Sequence, residues 1–313
     1  MLRAGRLVAF PTETVYGLGA LALVPEAVER IFEAKGRPAT NPLIVHVADL
    51  AQARSLARSW PAQAERLAEV FWPGPLSLVL PKQPSVPDIV TAGGPTVALR
   101  MPAHPVALAL LRATGAPLAA PSANRSTHIS ATTAEHVARS LGERVDLIFD
   151  AGATSGGLES TVVDLTGPVA RVLRPGLIGI AELEAALGER VQLASAAMET
   201  HQAQPSPGMQ ARHYAPGVPL ECVTGSAKAR VTQCVAACER VGWLTLGEPH
   251  GRLPEGIVVI GLPLDVEGYS SGLYAALHEF ESAGVERIVV ELPPDRPEWL
   301  AVRDRLTRAS HPA

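Results

Sequence analysis

The stretch "VPEAVERIFEAKGRPATNPLIVHV", Val24 to Val47, carries the pattern on which the fold is read. "VPEAVERIFEAK" has helical apolar spacing and ends at Lys35, and Gly36 permits a tight turn there. Pro38 and Pro42 hold the next segment extended, and "PLIVHV" reads as a strand. A helix delivered straight into a β-branched run is the unit of an α/β domain.

Working outward, "RLVAFP", "LSLVLP", "TVALRMP", "APLAAPS", "VDLIFD", "STVVDLT" and "VARVLRPG" read as strands. "PAQAERLAEVFW" reads as a helix, as does "HPVALALLRATG", closed by Gly115. "TTAEHVARSLG" is a third, capped by Thr132 or Thr133 and ended by Gly142. Residues 1–185 are therefore expected to form a mixed, twisted α/β sheet domain. Residues 186–217, rich in small and polar residues and ending in "SPGMQARHYAP", are expected to link it to a second domain at 218–313. The tail alternates "PLECVTG", "KARVTQCVAACERVG", "WLTLG", "GIVVIGLP", "GLYAALHEFESAG", "RIVVELP" and "PEWLAVRDRLTRAS". That order favours a smaller, parallel, Rossmann-like sheet.

With 313 residues, two domains are expected, and 47% hydrophobic residues suit globular cores. A net charge of -4 speaks against non-specific duplex binding. No apolar run reaches membrane-span length and no signal-peptide core is present, so a cytoplasmic location is expected. Cys234 and Cys238 could share a helix face, but no further Cys or His pair completes a zinc site, and they are read as buried thiols.

The chemistry-bearing residues lie mostly at strand ends. Lys35 and Arg37 fall close together, with Asn41 and His46 behind; the pair either binds an anion or only complements a helix dipole. "APLAAPSANRS" runs an apolar strand into Ser122 and Asn124, where open α/β sheets bind ligands. "FPTETVYGLGA" places Thr12, Glu13, Thr14 and Tyr16 on a loop before glycines, and "GGLESTVVDL" sets Glu159, Ser160 and Thr161 at a strand entrance. Arg100 and Arg174 each precede a strand-ending proline, making four candidate cations for phosphate and carboxylate groups. Walker and dinucleotide signatures, metal-ligand clusters and a nucleophile elbow are absent. Chemistry would then come from orienting charged substrates and neutralising transition-state charge.

Together "FPTETVYGLGA", "AKGRP", "NPLIVHV", "FWPGPLSLVL", "RMPAHP", "PSAN", "LESTVVDL" and "LRPG" resemble, in order, the YrdC/Sua5 family of L-threonylcarbamoyladenylate synthases. "SPGMQARHYAP" and the final "DRL" resemble its longer Sua5 type. The resemblance implies that L-threonine, bicarbonate and ATP, with Mg2+ accompanying ATP and no prosthetic group, give threonylcarbamoyl-AMP and pyrophosphate. The product would serve N6-threonylcarbamoyladenosine formation at position 37 of tRNA, with tRNA or a downstream threonylcarbamoyl transferase complex as partners.

By the same resemblance Lys35, Arg37, Ser122 and Asn124 are catalytic. Thr14, His46, Arg100, Ala120 and Ser160 would contact threonine, and Arg37, Asn41, Thr96, Ser122, Ser130, Arg174 and Tyr214 would contact ATP. The chain departs from the family after "PSANRS", where a glycine is usual and Thr127 and His128 stand instead. In the tail, "PEWLAVRDRL" replaces the usual glycine-rich approach to "DRL". "SPGMQARHYAP" is expected to act as a lid, with Tyr214 facing the nucleotide. Two rival readings are a double-stranded RNA-binding protein without synthase activity and a carbamoyl transferase of the hydrogenase-maturation type.

Overall fold

The computed structural model describes residues 1–194, 212–237, 239–248 and 256–312. It divides into two compact units. The first comprises Met1–Ser126, Ala131–Ser155 and the described part of Glu159–Gln210. The second comprises Thr127–Ser130, Gly156–Leu158 and the described part of Ala211–Ala313.

In chain order the first unit forms β1 (Val8–Phe10), β2 (Gly17–Leu21), α1 (Pro25–Lys35), β3 (Ile44–His46), α2 (Leu50–Leu56) and α3 (Ala62–Phe71). Then follow β4 (Leu76–Pro81), α4 (Asp88–Thr91), β5 (Thr96–Arg100), α5 (Pro105–Thr114), β6 (Leu118–Ala119) and α6 (Ala134–Leu141). The unit ends with β7 (Leu147–Ile148), β8 (Thr161–Asp164), β9 (Arg171–Arg174), α7 (Ile180–Leu187) and β10 (Gln192–Leu193). Among the described residues its ten strands form one mixed sheet in the order β10-β9-β8-β4-β5-β3-β6-β2-β1-β7.

The two faces of this sheet differ because side chains alternate along each strand. Leu76, Leu78 and Leu80 of β4, Val45 of β3, and Val97 and Leu99 of β5 join the main core with buried residues of α1, α2, α3, α4, α6 and α7. On the other face, α5 covers one end, packing Ala107 and Leu111 against Val8, Phe10, Leu118 and Ala120. The middle of that face is a small apolar floor of Ile44, Val79, Ala98, Val162 and Leu173, to which no described helix contributes. Residues flanking the floor in the same alternation are His46, Ser77, Thr96, Arg100 and Ser160.

Local chemistry explains the elements. Pro25 starts α1, whose Ala27, Val28, Ile31 and Phe32 are buried, and Gly36 ends it at φ 60°, with its N–H on the Glu33 and Phe32 carbonyls. Thr133, of the two threonines considered, caps α6 by accepting the His136 N–H. The expected glycine loop after β1 is instead a strand, β2, paired antiparallel to β1. Its Gly19 is there for space, since a Cβ at that position would lie 2.7 Å from the Phe10 ring. The expected linker span contributes the end of α7 and β10 to the first unit, and residues 195–211 lie outside the described residues.

The second unit holds β11 (Leu220–Val223), α8 (Lys228–Ala236), β12 (Val241–Leu246), β13 (Val258–Leu262), α9 (Val266–Ser282), β14 (Arg287–Glu291) and α10 (Leu300–Ala309). All four strands are parallel, in the order β11-β14-β12-β13, as the alternation in the tail predicts. Two boundaries move. α8 stops at Ala236 and Val241 already begins β12, so the expected helix was too long. α9 starts six residues earlier than its apolar pattern suggests, because Asp265 caps it and Gly268 and Gly272 admit Pro263 and Leu262 against its first turns. Cys234 is buried and Cys222 partly so; Cys238 lies outside the described residues.

Candidate active site

α1 delivers Lys35 and the turn after it delivers Arg37. Lys35 is buried, and its ammonium donates to the backbone oxygen of Ser122 at 2.5 Å and to that of Asn124. The Lys35 carbonyl in turn accepts the Ser126 N–H at 2.8 Å. Burial and then the neighbouring Arg37 charge hold the Lys35 pKa well below the usual lysine value, against the pull of Glu159. Arg37 donates to the Asn41 backbone oxygen at 3.0 Å, to Asn41 Oδ1 at 2.6 Å and to the Pro42 oxygen at 2.7 Å. Asn41 Nδ2 is buried and makes no hydrogen bond with the described residues. An unsatisfied buried donor is costly unless a ligand meets it.

β6 and the turn after it carry Ala120 and Ser122. The Ala120 N–H is fixed on the Ile44 oxygen at 3.0 Å, and Ser122 bridges to Gly17 of β2. At the other side of β3, His46 pairs in register with Arg100 of β5. His46 packs edge-on to Phe10 with ring centroids 6.3 Å apart, and its Nδ1 is buried without a partner. Burial and then the Arg100 charge lower its pKa to about 3, so the ring is neutral at physiological pH.

Arg100, 4% exposed, donates through Nε to the Gly74 oxygen at 3.2 Å and through Nη2 to Glu13 Oε1 at 2.6 Å. Glu13 Oε2 accepts the Ala103 N–H at 3.0 Å. Beside it, the Thr12 hydroxyl donates to the Val15 oxygen at 2.6 Å. With that proton committed, the Thr14 hydroxyl is the donor in its 2.8 Å contact with Thr12, and the lone pairs of the Thr14 oxygen remain.

β8 and β9 bring Ser160 and Arg174 together across an irregular antiparallel pair. Arg174 donates through Nε and Nη2 to the Ser160 backbone oxygen at 3.1 and 3.0 Å, and to Ser160 Oγ at 3.1 Å. Ser160 Oγ lies 2.8 Å from Ser77 Oγ, and both serines are fully buried. Ser77 is a residue that motif reading passed over. Its signal was present, because alternation in "LSLVLP" places this one hydroxyl on the face opposite the leucines. Thr96 starts β5 on the same side as Arg100, at the far end of the strand.

Two further expected residues, Ser130 and Tyr214, belong to the second unit. The Ser130 oxygen lies 3.1 Å from His278 Nε2. Tyr214 is buried at φ 60°, stacked on Tyr274 with centroids 6.0 Å apart, and the Arg305 guanidinium lies 4.8 Å from its ring centre. Thr127 sits at φ 67° and its oxygen accepts the Ala215 N–H at 2.9 Å. The resemblance places glycine at this position, and the backbone conformation is the one that glycine adopts without strain.

Among the described residues, no group of three or more His, Cys, Asp or Glu could hold a metal ion. Likewise, no described helix is long and apolar enough to cross a membrane.

The site thus has an end built on Arg100, Glu13 and neutral His46, the neighbouring buried pair Lys35 and Arg37, and Arg174 held on Ser160. The Sua5/YciO/YrdC family profile, described as telomere recombination, matches residues 1–176, and the threonylcarbamoyl-AMP synthase C-terminal domain profile matches 178–311. A threonylcarbamoyl-AMP synthase from Pyrococcus abyssi is 44% identical, covering 99% of this chain and 92% of its own. One from Bacillus subtilis is 44% identical over 99% of this chain and 91% of its own. A crystal structure of P. abyssi Sua5 complexed with L-threonine is similar with a TM-score of 0.92 and 42% identity, covering 99% of this chain and 92% of that one. With both profiles matched in order along nearly its whole length, the chain belongs to the Sua5/YciO/YrdC family and is of its longer, Sua5 type.

Proposed function

We propose that the chain is a threonylcarbamoyl-AMP synthase, a nucleotidyltransferase that converts L-threonine, bicarbonate and ATP into threonylcarbamoyl-AMP, pyrophosphate and water. The observation that carries this reading is a buried arginine suited to an amino-acid carboxylate, in the same unit as the buried cations Lys35, Arg37 and Arg174 suited to phosphate, in a chain so similar to synthases of that name. In it the threonine nitrogen, having given up its ammonium proton, bonds to the bicarbonate carbon as a C–O bond breaks and that oxygen leaves as water. A carbamate oxygen then bonds to the α-phosphorus of ATP and pyrophosphate leaves.

In this reading Arg100 holds the threonine carboxylate, with Thr14, neutral His46, the backbone at Ala120 and Ser160 around it. Arg37, Asn41, Thr96, Ser122 and Arg174 hold ATP, and magnesium arrives with the triphosphate. Asn41 Nδ2, buried without a partner, is a donor for that ligand. Lys35 and Asn124 complete the catalytic set, Lys35 chiefly by fixing the Ser122–Asn124 turn. The product supplies threonylcarbamoyl groups for tRNA in the cytoplasm, through a transferase that accepts the adenylate.

Pyrophosphate release by the purified protein tests this, with each of ATP, magnesium, L-threonine and bicarbonate omitted in turn and the product weighed by mass spectrometry. Release that requires threonine and bicarbonate, with an adenylate of the right mass, supports the synthase. Release indifferent to threonine overturns it.

A further inference from the structure

We propose that Glu13 makes the Arg100 end of the site select an amino acid in its zwitterionic form over a bare carboxylate, an inference that rests on the threonine site proposed above. A buried guanidinium standing alone would attract any anion, and the proposed reaction brings two of its own, bicarbonate and the ATP phosphates, to the same unit. Glu13 changes that. Its carboxylate lies 2.6 Å from Arg100 Nη2 and is steadied by the Ala103 N–H.

Burial pushes the Glu13 pKa up, but the Arg100 charge and hydrogen bond, with the backbone N–H groups, outweigh it and hold the group below the usual carboxylate value. Glu13 is therefore an anion at neutral pH, and the ion pair is neutral as a whole. The two histidines beside the pair, His46 and His104, add no positive charge. His46 is held neutral by burial and by Arg100, and burial holds His104 below its usual value against the pull of Glu13.

A bare carboxylate entering this end brings a charge that the neutral pair does not match, in a place with little water to screen it. A zwitterion brings both signs. Its ammonium is one carbon away from its carboxylate, and Glu13 is in direct contact with the guanidinium that takes that carboxylate. The Thr14 oxygen, with its lone pairs uncommitted, is a second acceptor next to Glu13 in the chain. Discrimination of this kind, by leaving a buried charge unmatched, is stronger than discrimination by shape alone.

The selection has a cost that can be measured. A carboxylate beside the substrate ammonium raises the pKa of that ammonium, yet the amine must be neutral to react. Removing Glu13 should weaken selection and at the same time make the amine available at lower pH.

The test uses the full chain and two ligands, L-threonine and 3-hydroxybutyrate, the same frame without the amine. In the unaltered protein threonine should bind on the order of 100-fold more tightly, and in Glu13→Gln the ratio should fall below about tenfold. The acid limb of the kcat profile in Glu13→Gln should move to lower pH. Glu13→Asp, which keeps the charge, should retain most of the discrimination and guards against a Glu13→Gln chain that does not fold. Equal weakening of both ligands with an unmoved acid limb, or lost discrimination in a folded Glu13→Asp, overturns the proposal and leaves the threonine site standing. Failure of the unaltered protein to bind threonine overturns the site itself, and this inference with it.

Discussion

The ammonium of Lys35 stands 2.5 Å from the backbone oxygen of Ser122, so the last residue of α1 ties down the turn that carries Ser122 and Asn124. Lys35→Met keeps the length of the side chain but leaves the two carbonyls without their donor. The expected outcome is a destabilisation of about 1–3 kcal/mol in denaturant unfolding, with pyrophosphate release reduced at least tenfold as the turn loosens. A variant as stable as the parent would remove the tie from the account.

Ser77→Ala deletes a buried hydroxyl that lies 2.8 Å from Ser160 Oγ, while Arg174 still reaches the Ser160 oxygen atoms. We expect a loss of about 1 kcal/mol and a rise of a few fold in the KM for threonine, with kcat changed less. Arg174→Ala should be far more severe, and should raise the KM for both ATP and threonine, because the same side chain fixes Ser160. Steady-state kinetics with each substrate varied separates the two.

A Cβ on Gly176 would lie 2.3 Å from the Thr161 nitrogen, 2.5 Å from the Ser160 carbonyl carbon and 2.6 Å from the Glu159 oxygen. All three are backbone atoms, which cannot swing aside. Gly176→Ala should therefore cost about 3 kcal/mol or more and displace Ser160. The thermal midpoint and soluble yield report the first effect, and threonine binding reports the second.

Thr127 presents the opposite case. A β-branched residue at φ 67° is strained, and glycine is not. Thr127→Gly should stabilise the chain by about 1 kcal/mol after the extra freedom that glycine gives the unfolded chain. A lower thermal midpoint would show that contacts of the threonine side chain outweigh the strain.

His46 links stability to pH. Its pKa falls from 6.5 in the unfolded chain to about 3 in the fold, so the folded state binds fewer protons between these values. Stability from this group is present above pH 6.5 and is lost as pH falls, by about 2 kcal/mol at pH 5. Denaturant midpoints at pH 7.5 and 5 measure the loss, and His46→Asn should flatten the difference.

The fold was legible where one strand or helix had to satisfy its own pattern. The "VPEAVERIFEAKG" helix, the β4 and β5 runs and the parallel tail sheet follow from spacing, caps and β-branching. β2 was not legible, since its glycines look like a loop until Phe10 is seen lying against them. In the site, residue types pointed to Lys35, Arg37, Arg100 and Arg174, but no local pattern says that Lys35 spends its protons on carbonyls or that Glu13 neutralises Arg100. Those pairings join residues 87 or more positions apart, and only the closed sheet brings them together.

The β8–β9 hairpin has its two ends locked by Arg174 on Ser160 and by Gly176 against the Glu159–Thr161 backbone. Thr166, Pro168 and Val169 at its tip are exposed. Length can therefore change at the tip without reaching the paired ends. The tip is the place to splice in an affinity tag or attach a fluorophore, giving a handle on the catalytic unit that leaves the Arg174–Ser160 contact undisturbed.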